Sequence, residues 1–150
     1  MADPQKRLEK MIRVLKGKGC RLTPQRLAML QILAKSAGHP SAEQIYEQIR
    51  ADYPTTSLAT IYKTLSLLKN MGEVLEVNLA GLGSHYDGNK PYPHPHVICT
   101  KCGEILDPAF EALADISQKI AQQTGYQITH PQLNFFGLCP KCQKEGPSPA

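Results

Sequence analysis

The 150-residue sequence predicts an α+β protein in two parts, a helical N-terminal half and a small α/β C-terminal half. Three observations lead there. Helix-start and helix-stop residues alternate as far as Gly72, just ahead of the β-prone run Val74-Leu75-Glu76-Val77. Charge is uneven: Met1 to Asn78 hold twelve Lys/Arg against seven Asp/Glu, whereas Leu79 to Ala150 hold five against six. Two Cys-x-x-Cys pairs, Cys99/Cys102 and Cys139/Cys142, bracket thirty-six residues of the second half. The expected boundaries are 1–80 and 84–142, with 143–150 a disordered tail containing Pro147 and Pro149.

Residues 5–16 form an amphipathic helix closed by Gly17 and Gly19. Thr23 caps a second helix, with Pro24 at the first helical position, where a missing N–H costs nothing. Gly38, His39 and Pro40 end it. Ser41, with Gln44 three residues on, reads as a capping box, and Ile45, Tyr46 and Ile49 line one face of the third helix until Pro54. The fourth begins near Thr56 or Ser57 and stops at Gly72. Its Leu58, Ile61, Leu65 and Leu68 share a face, so Thr60, Lys63 and Leu67 should point away, with Ser57 and Tyr62 on the flanks.

Helices after a basic arm, followed by a β run, read as a winged helix-turn-helix. The fourth helix would then enter the major groove of DNA with its N-terminal residues near base edges. An ordinary bundle whose last helix merely packs shares this pattern. The arm itself, Lys6, Arg7, Lys10, Arg13, Lys16, Lys18, Arg21 and Arg26 against Asp3 and Glu9, is either an anion-binding face or a solubilising one.

In the second half, β-like runs at Ser84–Tyr86, His96–Cys99 and Glu104–Leu106 precede a helix around Phe110–Thr124 and a final run, Gln132–Leu138. A unit of about sixty residues buries little core and needs a staple. Four thiolates in two knuckles suit a structural, tetrahedral Zn2+ with bonds of about 2.3 Å. Gly103 supplies the left-handed turn after the first pair, and Pro140 stiffens the second. Disulfides or four unconnected cysteines would have the same spacing, but no secretory signal is evident, which favours zinc. A closed shell of four thiolates leaves no position for a substrate. The fifth cysteine, Cys20, is either a small buried hydrophobe or a redox thiol.

Histidines offer a second kind of site. His94 and His96, at alternate positions of an extended segment, face the same way, and His39 and His85 are further candidates. Asp87 and Asp107 flank the stretch. Three imidazoles and two carboxylates suit Fe2+, Mn2+ or Zn2+ and hold no thiolate to favour copper(I). Pro93-His94-Pro95-His96 is equally compatible with a stiff surface loop, and His39-Pro40 with a helix terminus. No run approaches the roughly 20 apolar residues of a membrane span, and no targeting signal appears, so a cytoplasmic location is expected.

The chain resembles the ferric uptake regulator family of bacterial metal-responsive repressors. The resemblance covers roughly Leu8 to Cys142 and rests on Arg21-Leu22-Thr23-Pro24-Gln25-Arg26, His39-Pro40-Ser41-Ala42-Glu43-Gln44-Ile45-Tyr46, Ser57-Leu58-Ala59-Thr60-Ile61-Tyr62, His94-x-His96-x-x-Cys99-x-x-Cys102-Gly103 and Cys139-x-x-Cys142. It implies a homodimer with an N-terminal winged helix domain and a C-terminal α/β dimerisation domain. It also implies a structural zinc held by the four cysteines of the second domain and a regulatory metal between the two domains. Within the family the chain is similar to the peroxide-stress branch, whose regulatory ligands fall on His39, Asp87, His94, His96 and Asp107. Aspartate at both carboxylate positions, where iron regulators typically carry Glu, is the main reason for that preference.

What the resemblance implies is a transcriptional repressor, not an enzyme. Fe2+ or Mn2+ would favour binding to a palindromic double-stranded operator, with DNA contacts expected at Ser57, Thr60, Tyr62, Lys63 and Arg21. Peroxide reacting at the iron would oxidise His39 or His94 and release the DNA. With His39 assigned to the first half and the other four ligands to the second, a bound ion should clamp the halves together. An iron-availability repressor using the same residues is the alternative. A mononuclear iron enzyme is a remote one, against which the basic helical half speaks.

Overall fold

The computed structural model describes residues 3–35, 39–79, 81–109 and 112–145. The chain divides into two compact units, Met1–Tyr92 and Pro93–Ala150.

The first unit opens with α1 (Pro4–Gly17), where Asp3 caps by accepting from the Gln5 N–H and Pro4 fills the first turn. α2 (Pro24–Lys35) begins at Thr23, whose Oγ1 accepts from the Arg26 N–H at 3.2 Å. The capping box of α3 (Ala42–Arg50) is complete: Ser41 Oγ accepts from Gln44 N, and Gln44 Oε1 accepts from Ser41 N. Ser57 caps α4 (Leu58–Asn70). The antiparallel hairpin of β1 (Leu75–Leu79) and β2 (Gly83–Asp87) follows, with Leu75 opposite Asp87 and Leu79 opposite Gly83. Helices followed by this hairpin make a winged helix.

One apolar cluster holds these helices. Met11, Leu15, Met29, Leu30, Leu33, Ile45, Ile61, Leu65 and Leu68 are buried to 1% exposure or less. Each such side chain stabilises the fold by about 1.5–3 kcal/mol relative to exposure. α4 is apolar around more of its circumference than its sequence implies. Leu67, expected to point away, is half-buried and packs against the cluster. Thr64 is buried too, its hydroxyl donating to the Thr60 carbonyl at 3.1 Å.

From sequence, Ser84–Tyr86 was expected in the second half. It lies instead in β2, which pairs with β1, and in the turn between them the Leu82 N–H donates to the Leu79 carbonyl. The first unit therefore runs to Tyr92, and Asp87 belongs to it.

The second unit contains β3 (His96–Cys99), β4 (Ile105–Leu106), α5 (Leu113–Thr124), β5 (Asn134–Gly137) and α6 (Pro140–Lys144). Its sheet has the order β4-β3-β5, antiparallel between β3 and β4 and parallel between β3 and β5. A parallel pair needs a long crossover, and α5 lies in it. The tail expectation fails at its start. Gln143 and Lys144 belong to α6, because Pro140 sits in the first turn and Cys139 caps it by accepting from the Cys142 N–H. Gly38, Phe110 and residues 146–150 lie outside the described residues. Among the described residues, no helix is long and apolar enough to cross a membrane.

Candidate metal centres

The parallel pairing of β3 with β5, which sets Cys99 opposite Gly137, brings the two cysteine pairs together. Cys99 ends β3, Cys102 lies in the turn after it, and Cys139 and Cys142 cap and occupy α6. Their Sγ atoms all lie within 4.8 Å of one another, and all four cysteines are free of disulfides. Cys102 Sγ and Cys139 Sγ are 3.8 Å apart. Four sulfurs about 2.3 Å from one zinc sit about 3.8 Å apart along each tetrahedral edge, so the set fits that ion.

Backbone N–H groups favour charge on one sulfur of the four, that of Cys99. Cys99 Sγ accepts from the N–H groups of Cys102 and Cys139, which hold its thiol down to about 6. Cys142 is pushed up to about 12, chiefly by hydrogen bonding with the Cys139 sulfur and then by burial. Gly103, at φ 81°, takes the left-handed turn its position requires, its N–H donating to the Cys99 carbonyl.

The histidine and aspartate candidates form one group in each unit. In the first, the chain leaves α2 and passes through His39 at φ 52°, a left-handed conformation uncommon for a side chain of this size. It then runs beside β2: the Tyr86 N–H donates to the Pro40 carbonyl, and Ser41 bridges to His85. His39 Nε2 thereby lies 3.3 Å from Asp87 Oδ2, with side chains 6% and 2% exposed. Asp87 Oδ1 accepts from the N–H groups of Asn89 at 2.8 Å and Lys90 at 2.9 Å. The carboxylate thus uses one oxygen for its own turn and presents the other to the imidazole.

In the second unit, strand register does the work. Val97 pairs with Leu106, which sets His96 beside Asp107 across the β3–β4 ladder. His96 Nε2 is 3.7 Å from Asp107 Oδ1, and His94 Nε2 is 3.3 Å from Asp107 Oδ2. His94 lies two residues before β3 begins, and the two imidazole rings have centroids 4.4 Å apart. Imidazoles shielded from solvent beside a buried Asp87 and a partly buried Asp107 are the donor chemistry of an N/O metal site, and they fit Fe2+, Mn2+ or Zn2+. His85 joins neither group; it is half-buried on β2, and burial lowers its pKa.

The residues expected to meet DNA are exposed at the start of α4 and before α2. Ser57 Oγ and Thr60 Oγ1 lie 2.9 Å apart, locking the first turn of α4. Lys63 is exposed, as is Arg21, whose carbonyl accepts from Arg26 Nη1 at 2.7 Å. Tyr62 is 42% exposed and donates its hydroxyl to Glu43 Oε1 on α3 at 2.7 Å, a contact that holds the Glu43 carboxyl below its usual range. Glu43 was missed in sequence because nothing local marks a partner nineteen residues away. Cys20 is half-buried against the apolar cluster.

Residues 17–136 match the model of the ferric uptake regulator family. The chain belongs to that family. A peroxide-responsive repressor, PerR, of Staphylococcus epidermidis is 37% identical over 139 residues, covering 93% of this chain and 92% of the relative. Among solved structures of the family, the Campylobacter jejuni peroxide stress regulator superposes with a TM-score of 0.69 at 36% identity, covering 87% of this chain and 98% of that one. A zinc uptake regulator complexed with zinc and DNA superposes with a TM-score of 0.71 at 25% identity, covering 97% and 98%.

Proposed function

We propose that this family member is a metal-dependent, peroxide-sensing transcriptional repressor. The observation that carries this is the pairing of His39 with Asp87 in one unit and the grouping of His94, His96 and Asp107 in the other. Two donors and three donors are each few for a divalent ion of this class; five converging on one ion complete an N/O shell with one position open. The first unit supplies both His39 and Asp87, a more even division than one histidine against four ligands. Closing the shell fixes one unit against the other. Shifting a conformational equilibrium from mostly open to mostly closed requires about 5.5 kcal/mol of differential binding.

The closed form presents α4 to the major groove, with Ser57, Thr60, Tyr62 and Lys63 near base edges and Arg21 near the phosphate backbone. The protein acts as a homodimer on a palindromic operator, since two symmetric α4 helices read two half-sites. Support for the dimer is the apolar surface of the second unit: Leu106, Ile116, Ile120, Phe135 and Phe136 are between 39% and 53% exposed. Zn2+ held by the four cysteines keeps that unit together, and the N/O set takes Fe2+ or Mn2+. The protein works in the cytoplasm, where the operator is, and turns over no substrate.

Fe2+ held by the N/O set would activate peroxide, and the two electrons that reduce its O–O bond come in net from the imidazole C–H bond that is oxidised. His39 and His94 would hold that ion and carry the imidazole C–H bonds proposed to react. The net change is insertion of one peroxide oxygen into such a C–H bond, the other oxygen leaving as water. An oxidised imidazole is a poorer ligand, so the shell opens and DNA is released. The test is mass spectrometry of the Fe2+-loaded and Mn2+-loaded protein after a low dose of hydrogen peroxide, with operator binding followed in parallel. One added oxygen on a peptide containing His39 or His94, in the iron form alone and with loss of binding, is the expected result. Intact histidines and undiminished binding would make the protein an iron-availability repressor instead.

A further inference from the structure

The basic arm at the N-terminus sends one arginine inward. Arg7 on α1 is 8% exposed, and its guanidinium reaches two distant segments. Nε donates to the Gly88 carbonyl at 2.8 Å, while Nη2 donates to the Glu73 carbonyl at 3.0 Å and to Glu73 Oε2 at 2.9 Å. Glu73 is itself 5% exposed. The charge of Arg7, one of the eight cations of the basic arm, is thus spent inside the first unit.

The Gly88 carbonyl and the Asn89 N–H belong to one peptide group. Arg7 holds the carbonyl end, and the N–H end donates to Asp87 Oδ1 at 2.8 Å. On its other side this peptide is wedged against α2. A Cβ at Gly88 would meet the Leu33 carbonyl oxygen at 2.7 Å and Leu33 Cβ at 2.9 Å, and Asn89 Nδ2 donates to the Ala34 carbonyl at 2.9 Å. Held between α1 and the end of α2, the peptide has little freedom to turn.

We infer that Arg7 is a positioning residue for the regulatory metal: through the Gly88–Asn89 peptide it orients Asp87, so that Oδ2 faces the ion beside His39. The inference rests on Asp87 being a ligand, as proposed above. A charge-assisted hydrogen bond to the carbonyl polarises the peptide and strengthens its N–H as a donor, so Arg7 both aims and steadies the carboxylate. Outer-shell partners of this kind typically change metal affinity by about 10–100-fold. Linkage is reciprocal, so ion binding also steadies α1, which carries the exposed Lys6, Lys10 and Arg13.

Removing Arg7 alone would strand the buried Glu73 carboxylate, so the comparison is made in Glu73→Gln protein. Mn2+ affinity of the zinc-loaded full chain is measured by electron paramagnetic resonance of free manganese for E73Q, R7K/E73Q and R7Q/E73Q, and again with Asp87→Ala added to each. R7Q/E73Q is expected to bind Mn2+ about 10–100-fold more weakly than E73Q, with unchanged zinc content. R7K/E73Q, keeping one donor but not the fork, is expected between them, and it carries the comparison if R7Q/E73Q loses its helical circular dichroism. In the D87A background the Arg7 substitutions should no longer matter, because the relay has no carboxylate to act on. Equal losses with and without Asp87, or no loss in either, would overturn the inference. If D87A alone binds Mn2+ as tightly as its parent, Asp87 is not a ligand, and both that assignment and the relay fall.

Discussion

The two units solve the problem of stability differently. Among the described residues, the first buries ten large apolar side chains to 1% exposure or less, nine drawn from its four helices and the tenth, Leu79, from β1. The second buries Ile98, Cys99, Ile105 and Cys142 among its hydrophobic residues, and its one long helix, α5, has no buried residue at all. A domain of about sixty residues seldom makes a sufficient core from its own side chains. The first unit is therefore stabilised by its own packing, and the smaller second unit by what it binds.

Zinc removal should break this comparison most visibly. Structural zinc contributes about 10–16 kcal/mol of apparent binding energy in small metal-stapled domains. Stripping the metal with a strong chelator, or replacing Cys102 with Ser, should collapse the amide NMR signals of residues 96–144 toward random-coil positions. Signals from α1–α4 should keep their dispersion. Retention of ordered β3 and β5 signals without zinc would show that the second unit carries a sufficient core of its own.

The next largest effect should come from the apolar surface. Ile120 on α5 and Phe135 on β5 are 44% and 53% exposed. If a second copy covers them, Ile120→Lys with Phe135→Lys should weaken the proposed dimer by about 2–4 kcal/mol or more, seen in sedimentation as a monomer at concentrations where the parent is dimeric. Zinc content should not change. An unaltered dimer would put the interface elsewhere.

The same contrast explains what was legible in the sequence. Helix ends are local, and Thr23, Ser41 with Gln44, and Ser57 all cap where their side chains said they would, whereas the Asp3 cap of α1 went unread. The cysteine knuckles are local as well, each closed within four residues. That the rings of His94 and His96 lie together, 4.4 Å between centroids, needed only their spacing of two residues. What sequence could not supply was long-range. Asp107 stands beside His96 because Val97 pairs with Leu106, and Asp87 joins the first unit because β2 pairs with β1. Arg7 looked like one more solvent-facing charge because its partners lie 66 and 81 residues away. Leu67 was misjudged since α4 has packing partners around more of its circumference than one face.

Within the first unit, packing should outweigh surface charge. Leu30 is fully buried, so Leu30→Ala removes apolar contact and leaves a cavity, costing about 2–5 kcal/mol. Thermal unfolding followed by circular dichroism should show an earlier transition for the helices while the zinc remains bound. Simultaneous loss of zinc at that transition would mean that the units do not unfold separately.

The smallest effect belongs to the ion pair between Lys69 and Glu76, at 2.8 Å, where Lys69 is 54% exposed. Exposed pairs contribute only about 0.2–1 kcal/mol. The hydrogen bond from Lys69 lowers the Glu76 pKa from its ordinary 4.5. A carboxyl whose pKa falls on folding binds fewer protons in the native than in the unfolded state. Its contribution is therefore present above pH 4.5 and is lost as pH falls through the lowered value. Lys69→Met should narrow the stability difference between pH 6 and pH 3 by no more than about 1 kcal/mol, measured by urea unfolding. A larger change would mean that this pair bears on more than the junction of α4 and β1, and that the first unit depends on its surface charges more than its buried cluster implies.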